Sequence, residues 1–335
     1  MGVTIRYYFP YIQKEIMHFS SSAQWSKVVS SSYALAPLTI SSKNNKHQVT
    51  LFSADKGKSY SSAPYLTESG MIKNHKNMVD SVIEHLSNNP SCDYILLKLR
   101  EQIDSKLVNS YNPKKITIDQ KFVTFELDLS QGEDYVWQKL IKQKTRNQVR
   151  KAKKNNLKLK QGGIELIDDF YTVISNCWRD LGTPTHSKIF YSNIIKKFPN
   201  NSQLLVVYKG EKAIATAVVV WNETTIFHPF AGSLKRYNNT SVNNLLYWKI
   251  IQLGIEMDLN CFDMGRSQKE QGTYRYKASW GAEIIPLYYY YFLSEQTKQP
   301  KPNDHFAYQL ATSLWKKIPL PIANFLGPKL IYKVL

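Results

Sequence analysis

The strongest constraint on the fold is a run of three apolar segments in the second half of the chain, separated by two short polar turns. The segments are Leu204–Tyr208, Ala213–Trp221 and Thr225–Phe230. Because the turns are so short, consecutive segments are expected to pair as antiparallel neighbours, which predicts a three-stranded meander. A polar loop then leads into an expected helix from Ser241 to about Asp258 and a short buried strand over 259–263. This order predicts a mixed α and β domain.

The segment after that short strand carries the densest group of candidate functional residues. Gly265 lets the backbone turn, and Arg266 follows at the C-terminal edge of the strand. Tyr274, Lys277 and Trp280 then recur at three-residue spacing. Arginine, lysine and aromatic residues beside turn glycines favour a pocket for an anionic or sugar-like substrate over a plain surface loop. The alternative is that the aromatic residues belong to the core of the last sheet.

Length and charge limit the class of protein. A chain of 335 residues is too long for one typical core and predicts two domains. The formal net charge of +18 predicts an anionic partner, such as tRNA, a nucleotide cofactor, a lipid-linked pyrophosphate or an anionic membrane surface. The alternative is a basic surface that only keeps the protein soluble.

The cysteines and histidines lack the spacing of a metal or redox site. Cys92, Cys177 and Cys261 are far apart in apolar surroundings, which predicts buried free thiols in a reducing compartment. The seven histidines are scattered, so no metal site is expected. No signal-peptide pattern is visible, and no segment approaches the ~20 apolar residues that span a bilayer. A cytoplasmic protein is expected, with peripheral contact at the inner face of the membrane as an open alternative.

A capping-box pattern divides the chain in two. Ser130 and Glu133 are spaced so that each side chain can bond a backbone N–H at the start of a helix, which is expected to continue to about Lys154. The basic residues near one stripe of this helix are Arg146, Arg150, Lys153 and Lys154. The helix is a candidate surface for tRNA or other phosphate groups, with Arg150 and Lys151 as contacts. The alternative is an ordinary solvated face.

The expected organisation follows from this junction. It comprises an N-terminal domain over 1–130, a basic linking helix over 131–156, a C-terminal domain over 157–298, and a Pro- and Lys-rich linker with an amphipathic tail over 299–335. The tail could lie on an anionic membrane. Alternatively it forms a helical pair packed back on the domain, because three prolines break any long amphipathic helix.

Single elements are also predicted along the chain. In the first domain, strands alternate with helices around one core. In the second domain, Ser187 is expected to cap a helix that Pro199 stops. The remaining predictions are a helix leading into a strand over 23–38, a strand over 48–54, a loop over 59–70, a helix over 74–86, strands over 94–99 and 121–129, and a last strand over 284–293.

Several motifs along the chain occur in an order that resembles one family. They are 62–70, Leu97–Arg100, Lys144–Lys153, Leu181–Lys188, Asn243–Trp248 and the segment Asp263–Ala282. Together they resemble FemAB-like proteins, relatives of the peptidoglycan-bridge aminoacyltransferases, and in particular those associated with bacterial exopolysaccharide systems. The resemblance covers roughly residues 23–328. It implies an α+β fold of two tandem GNAT-like domains with mixed, largely antiparallel sheets, the first being a divergent copy.

The resemblance also implies where the acyl donor binds. In GNAT folds, the loop after the third meander strand holds the pyrophosphate of the donor at a helix N-terminus. The corresponding loop here, 232–239, lacks a glycine-rich run. The implied co-substrate is therefore aminoacyl-tRNA or acyl-CoA, with no tightly bound cofactor. Lys235 and Arg236 are candidate phosphate contacts or, alternatively, ordinary solvated charges.

Candidate roles follow for the acceptor side. Tyr274 is the candidate proton donor to the leaving group, and Arg266 could bind a phosphate or carboxylate with its planar fork. Asp263 is a candidate base or, alternatively, the residue that holds Arg266 in place. His186 is a second candidate base because its unperturbed pKa suits proton removal from an amine. Lys277 and Trp280 complete the expected substrate-binding set.

The function implied is that of an acyltransferase, of the aminoacyltransferase or N-acetyltransferase type. It would transfer an acyl group by direct attack to an amine or hydroxyl of a cell-envelope or exopolysaccharide precursor, carried on a nucleotide or lipid. No covalent enzyme intermediate is expected, because no activated nucleophile constellation occurs. The alternative is a non-catalytic binding or scaffold protein that uses a basic groove for nucleic acid or anionic lipid. The sequence names neither the acyl group nor the acceptor, nor the oligomeric state.

Overall fold

The first of two mixed sheets is built mainly from the N-terminal half. The structure is a computed structural model that describes residues 18–41, 48–70, 75–111, 115–295, 297 and 305–333. In spatial order the six strands are β1 (Pro37–Ser41), β2 (Gln48–Phe52), β3 (Ser59–Ser62), β4 (Tyr94–Leu99), β14 (Tyr288–Leu293) and β5 (Ile116–Asp119). Neighbours are antiparallel except β3 and β4, which are parallel. Helix α2 (His75–Asn88) buries Met78 and Val82 in the core of this sheet.

The second sheet contains the predicted meander. Its strands are β12 (Ser267–Gln268), β6 (Phe122–Asp128), β11 (Cys261–Asp263), β10 (Thr225–Ser233), β9 (Lys212–Trp221), β8 (Ser202–Lys209) and β7 (Leu157–Gly162), with β13 (Glu283–Pro286) paired to β6. The antiparallel series β8–β9–β10 confirms the meander. Almost every residue of β9 is buried, because the strand lies between two helical layers.

The helical layers explain the two cores on either side of β9. Helices α6 (Ile167–Leu181) and α7 (Lys188–Lys197) pack on one face, together with α1 (Ala23–Tyr33) from the first half of the chain. Helix α8 (Val242–Glu256) packs on the other face. The predicted cap of α7 is confirmed, since the Ser187 hydroxyl accepts a hydrogen bond from the Phe190 N–H.

The two halves of the chain exchange strands. β6, which precedes residue 130, pairs with β11 in the second sheet, whereas β14 lies between β4 and β5 in the first. The prediction of one continuous strand over 284–293 is therefore wrong. The chain leaves β13 at Pro286, passes through the fully buried Leu287 and enters the other sheet. Each sheet depends on a strand from the other half, so the fold of two tandem GNAT-like units is also one interlocked body.

The prediction of one long helix at the junction is wrong. It is divided into α4 (Gly132–Tyr135), a π-helical turn (Val136–Leu140) and α5 (Gln143–Lys153). The capping box does not form either, because Gln131 is the N-cap residue and makes no side-chain cap hydrogen bond. Glu133 instead accepts a hydrogen bond from Gln252 of α8.

A close contact with the distant Gly281 and a cation on α5 stabilise this break. Gly281 packs so closely on Leu140 that a Cβ there would overlap the Leu140 carbonyl. Arg146, one of the basic stripe, donates from Nη1 to the carbonyl oxygens of Trp137 (3.1 Å) and Ile141 (2.5 Å). That cation stabilises the end of the π-helical turn, so it is not an ordinary solvated charge.

The remaining differences concern short edge elements and the chain ends. The expected loop over 59–70 contains β3, and β5, β7 and the short helix α3 (Ser105–Ser110) were not predicted. The tail forms α10 (His305–Trp315) and α11 (Leu320–Ile331), and α11 packs on the domain through Ala323 and Gly327. The linker residues 299–303 and the N-terminal residues 1–17 lie outside the described ranges. Through the parts of the chain described, every helix is too short or too polar to cross a membrane.

The contact at the junction predicts a stability difference between two glycines. Gly281 and Gly132 have nearly the same backbone torsion, with φ of 81° and 80°. An alanine Cβ at Gly132 would meet no atom within 4 Å, whereas at Gly281 it would overlap Leu140. Both alanine variants would carry a left-handed backbone strain of about 1 kcal/mol. Because only Gly281→Ala adds the overlap with Leu140, it should lower the free energy of unfolding by about 2 kcal/mol more than Gly132→Ala. Urea denaturation measures both, and equal losses would contradict the proposed packing.

Candidate functional site

A cavity lies where two strands of the second sheet diverge. β10 and β11 are parallel neighbours over only three residues, Thr225–Phe227 against Cys261–Asp263. β11 ends at Asp263, while β10 passes through a bulge between Phe227 and Phe230 and continues to Ser233. The wedge between the strands opens into a cavity of about 340 Å³.

Both halves of the chain line this cavity. The first half contributes segments that precede α1 and follow β3. The second half contributes α6, the bulge, α8, the loop after β11 and the short helix α9 (Gly272–Ala278). The lining residues are His18, Phe19, Tyr65, Leu66, Thr67, Trp178, Phe227–Ala231, Tyr247, Asp263–Arg266, Thr273 and Lys277. A smaller cavity of about 220 Å³ in the first sheet is lined mainly by apolar side chains such as Ile83 and Phe292.

One wall is fixed by a partly buried arginine, Arg100, which binds three carboxylates. Arg100, which follows β4, donates to Glu68 (Nε to Oε1, 2.8 Å), to Asp263 (Nη2 to Oδ2, 2.7 Å) and to Glu126. These residues come from both sheets. Burial raises the pKa of Glu68 and of Glu126, with Arg100 opposing the rise. Burial would also raise the pKa of Asp263, but the Arg100 guanidinium and hydrogen bonds from Thr124 and Gly265 hold it below its ordinary value.

The same cluster offers potential metal ligands. His18, Glu68 and Asp263 place ligand atoms within 4.8 Å of one another. Arg100 bonds to Glu68 and Asp263, so a guanidinium already supplies positive charge between them. The donor set therefore suits a buried ion network better than a metal ion.

Three of the residues predicted from the sequence meet in the cavity, namely Asp263, Arg266 and Lys277. The Lys277 Nζ donates to the carbonyl oxygens of Gly265 (2.8 Å) and Arg266 (3.0 Å). Burial lowers the pKa of Lys277 to about 7, an effect that Asp263 opposes and Arg266 increases. The Arg266 guanidinium lies over the Phe122 ring at 4.6 Å and donates to the Tyr289 hydroxyl at 3.2 Å. Asp263 pairs with Arg100 and not with the Arg266 side chain, so it orders Arg266 only through the hydrogen bond that it accepts from the Gly265 N–H.

Sequence reasoning missed a histidine–tyrosine pair at the bulge. The His228 Nε2 and the Tyr247 hydroxyl are 2.7 Å apart, and both side chains are buried. Burial, together with the charge of Lys277, lowers the pKa of His228 to about 3, so the ring is neutral. A polar residue before a proline within an apolar strand was the available signal for this site.

Two other expected site residues, Tyr274 and Trp280, do not line the cavity. Trp280 is fully buried and stacks on Tyr247 at 5.6 Å between ring centroids. Tyr274 is half-buried and packs edge-on to Phe125 at 5.3 Å. The expectation that Trp280 contacts the substrate is therefore corrected. Trp280 instead packs against Tyr247, which lines the cavity. A role for Tyr274 in proton donation likewise gains no support from its position.

His186 is a core residue. Its ring is 2% exposed and stacks on Phe190 at 4.1 Å, and its Nδ1 shares a hydrogen bond with the Tyr33 hydroxyl. Burial lowers the pKa of His186 to about 3. This corrects the interpretation of His186 as a general base, because a buried, weakly basic ring outside the cavity lining is poorly suited to proton removal.

The expected phosphate contacts lie on the surface outside the cavity lining. Lys235 and Arg236 are exposed on the 3₁₀ helix Lys235–Thr240, which leads into α8. Ser241, just before α8, donates to Gln148 of α5 at 2.6 Å, so α5 lies beside the first turn of α8. Arg150 and Lys151 are exposed on the same helix. Their contact with phosphate remains a prediction.

Comparisons with known proteins agree with this fold. Residues 143–278, which include β10, β11 and α9, match the model of the acetyltransferase (GNAT) domain. A structure of FemX has a TM-score of 0.62 at 9% identity, covering 90% of this chain and 96% of that one. No curated protein sequence matches the chain.

Two further structures are similar over most of their length. L-PGS from Bacillus licheniformis has a TM-score of 0.56 at 11% identity, covering 91% of this chain and 100% of that one. The C-terminal domain of a putative lysylphosphatidylglycerol synthetase from Agrobacterium fabrum has a TM-score of 0.55 at 13% identity, covering 81% and 87%. At these identities the likeness concerns the fold. The expected fold class is confirmed, and the domain match confirms the expected class of enzyme, an acyltransferase.

The buried histidines predict acid sensitivity of the fold. Burial lowers the pKa of His186 and of His228 from 6.5 to about 3. Between these values the unfolded chain binds more protons, so stability is full above about pH 6.5 and falls as the pH falls towards 3. His186→Phe should reduce this slope by up to about 1.4 kcal/mol per pH unit while keeping a ring against Phe190.

Urea denaturation at a series of pH values between 7 and 4 measures that slope. The control is Phe198→Leu, which replaces a buried ring of the same core with a side chain that does not titrate and should therefore leave the slope unchanged. An unaltered slope in His186→Phe would contradict a buried, neutral His186.

Proposed function

We propose that the protein transfers an acyl or aminoacyl group, by direct attack, to an amine or hydroxyl of a cell-envelope or exopolysaccharide precursor. The observation that carries this proposal is the cavity between β10 and β11. It contains Lys277 and the His228–Tyr247 pair, and most of its lining residues belong to the matched acetyltransferase domain. The donor is aminoacyl-tRNA or an acyl-CoA, used as a co-substrate.

The wedge suits an extended donor chain. Beyond Phe227, the edge of β10 that faced β11 has no strand partner among the described residues. An unpaired strand edge offers backbone N–H and C=O groups in a regular row, to which an extended donor can bond. The donor carbonyl would then lie near the bulge, beside His228 and Lys277.

Lys277 is the best-placed group for proton transfer. In its neutral form, its two N–H bonds donate to the Gly265 and Arg266 carbonyls and its nitrogen keeps one lone pair. As the acceptor amine attacks, a C–N bond forms and the ester C–O or thioester C–S bond of the donor breaks. Lys277 takes the proton that the amine loses and returns it to the departing oxygen or sulfur. A pKa near neutrality suits both steps.

Other charged residues would bind anionic parts of the two substrates. Arg266 is exposed beside the cavity, where its fork can bind a carboxylate or phosphate of the acceptor. Lys235 and Arg236 precede α8, whose first turn has no side-chain cap. The exposed basic residues of α5, Arg150 and Lys151 among them, extend this surface for a polyanionic donor such as tRNA.

The nature of the acceptor is inferred from the charge of the chain and from one structural neighbour. One structural neighbour is named as a putative lysylphosphatidylglycerol synthetase, and lysylphosphatidylglycerol is an anionic lipid joined to an amino acid. This fits an acceptor carried on a phosphate-containing lipid. The +18 charge fits nucleotide-linked and lipid-linked sugars equally well. A direct test incubates the protein with labelled acetyl-CoA or aminoacyl-tRNA and amino-sugar acceptors, and follows transfer of the label.

The proton-transfer role predicts a pH profile. Because neutral Lys277 is the active form, kcat should rise about tenfold per pH unit below pH 7 and level off above it. Lys277→Met should lower kcat by about a hundredfold or more and abolish this rise. The matched control is Lys269→Met, which replaces an exposed lysine between β12 and α9. A rate that instead falls above pH 7 in the wild type would assign Lys277 a role as a charged group and exclude its role as a base.

The donor surface predicts a separate kinetic effect. The double variant Lys235→Glu/Arg236→Glu should raise the KM for the donor about tenfold or more at low salt and leave kcat nearly unchanged. The control is Lys196→Glu/Lys197→Glu in the last turn of α7. These lysines lie near the end of β9, where the Trp221 N–H donates to the Asn201 carbonyl, whereas Lys235 and Arg236 lie near its start, where the Leu234 N–H donates to the Ile214 carbonyl. Equal effects of the two double variants on KM would contradict a specific donor surface.

A further inference from the structure

The two C-terminal helices present an apolar face that the fold leaves uncovered. Most large apolar side chains of the described residues are buried, but α10 and α11 carry a group of exposed ones. They are Leu310, Leu314, Ile322, Phe325 and Leu330, with Phe325 64% exposed. Leu181 at the end of α6 is 63% exposed, and the adjacent Gly182 packs on Thr312 of α10, so Leu181 borders the same face.

The inner face of α11 already provides its packing. Ala323, Gly327 and Ile331 recur at four-residue spacing and are buried. Gly327 lies so close to Thr185 that a Cβ there would be 2.9 Å from the Thr185 carbonyl oxygen. Ile322 and Phe325 lie on the opposite side of the helix. Their apolar character is therefore not required for docking α11 on the domain, and an exposed patch of this kind indicates an interaction site.

The charged side chains of α10, α11 and the segment between them are all lysines, and Asp180 beside Leu181 is paired with Arg179. From residue 305 to residue 333 the chain has four lysines and no aspartate or glutamate. The lysines are Lys316, Lys317, Lys329 and Lys333. The Lys329 ammonium lies over the Phe325 ring at 3.7 Å, so a cation borders the most exposed aromatic side chain. Apolar side chains flanked by lysines, on two helices that carry no acidic residue, complement the acyl chains and anionic headgroups of a lipid surface.

We propose that the outer face of α10 and α11 binds the surface of an anionic lipid bilayer. Phe325 and the exposed leucines enter the interfacial region, and the lysines contact lipid phosphates. The helices lie on the bilayer, consistent with their being too short to cross one. This binding is independent of the proposed acyl transfer.

The face is connected to the cavity through one residue. The Tyr65 hydroxyl donates to the carbonyl of Tyr332, at the end of α11, over 2.9 Å, and Tyr65 also lines the cavity. A bilayer bound to this face would therefore lie close to the cavity wall that Tyr65 forms.

Vesicle co-sedimentation of the full chain tests the proposal. The wild type should bind vesicles of 70% phosphatidylcholine and 30% phosphatidylglycerol and not vesicles of phosphatidylcholine alone, and binding should weaken from about 0.1 M to about 0.5 M NaCl. Leu314→Ser/Phe325→Ser should reduce binding by about tenfold, because both side chains are exposed and contribute to lipid contact rather than to folding. Lys316→Glu/Lys317→Glu should have a similar effect at low salt.

A matched control and an oligomer assay exclude the alternatives. Ile118→Ser/Ile284→Ser replaces exposed apolar residues on β5 and β13 and should leave binding unchanged. Equal melting temperatures of the variants exclude unfolding. Absence of binding to the anionic vesicles, or equal binding by Leu314→Ser/Phe325→Ser, would overturn the proposal. So would a dimer in light scattering that this variant abolishes, because the face would then belong to a second copy of the chain.

Discussion

The rest of the site depends on the ion network around Arg100. A single guanidinium, at the end of a strand of the first sheet, binds carboxylates that come from the second sheet and from the segment after β3. Loss of Arg100 would leave three carboxylates without their counter-ion, and breaking a buried ion pair in this way costs about 3–5 kcal/mol. The network also sets the geometry of the cavity. Asp263 receives a hydrogen bond from the N–H of Gly265, and this turn presents the Gly265 and Arg266 carbonyls to Lys277.

Strand exchange places this network between the two halves of the chain. β6 carries Glu126 into the second sheet, and β14 returns Tyr289 to the first. The Tyr289 hydroxyl donates to the Thr67 carbonyl and receives a hydrogen bond from Arg266, so it holds segments of both halves at the cavity. The interlocking explains why a site formed by the second, acetyltransferase-like unit is also lined by residues of the first.

Local sequence patterns predicted the elements whose causes are local. The apolar segments and turns of the meander, the apolar run of β4 and the Ser187 cap each depend on neighbours within a few residues, and all are present. The broken junction helix and the division of 284–293 depend on partners distant in sequence. Gly281 lies about 140 positions from Leu140 along the chain, and helix periodicity carries no information about such a contact.

The site residues show the same division. Asp263, Arg266 and Lys277 follow a strand end and a turn, which the sequence reveals, and they line the cavity. His186 has the residue type of a base, but its burial among aromatic rings is a tertiary property. His228 was missed for the converse reason, since only the divergence of β10 and β11 gives a strand residue access to a cavity.

The central claim is that the acyl donor binds in the wedge between β10 and β11. Hydrogen–deuterium exchange measured by mass spectrometry, with and without each candidate donor, tests it directly. The account predicts that a donor supporting transfer protects both β10 and the segment 263–277 from exchange. Transfer accompanied by protection elsewhere, for example around the smaller cavity near Ile83 and Phe292, would contradict it.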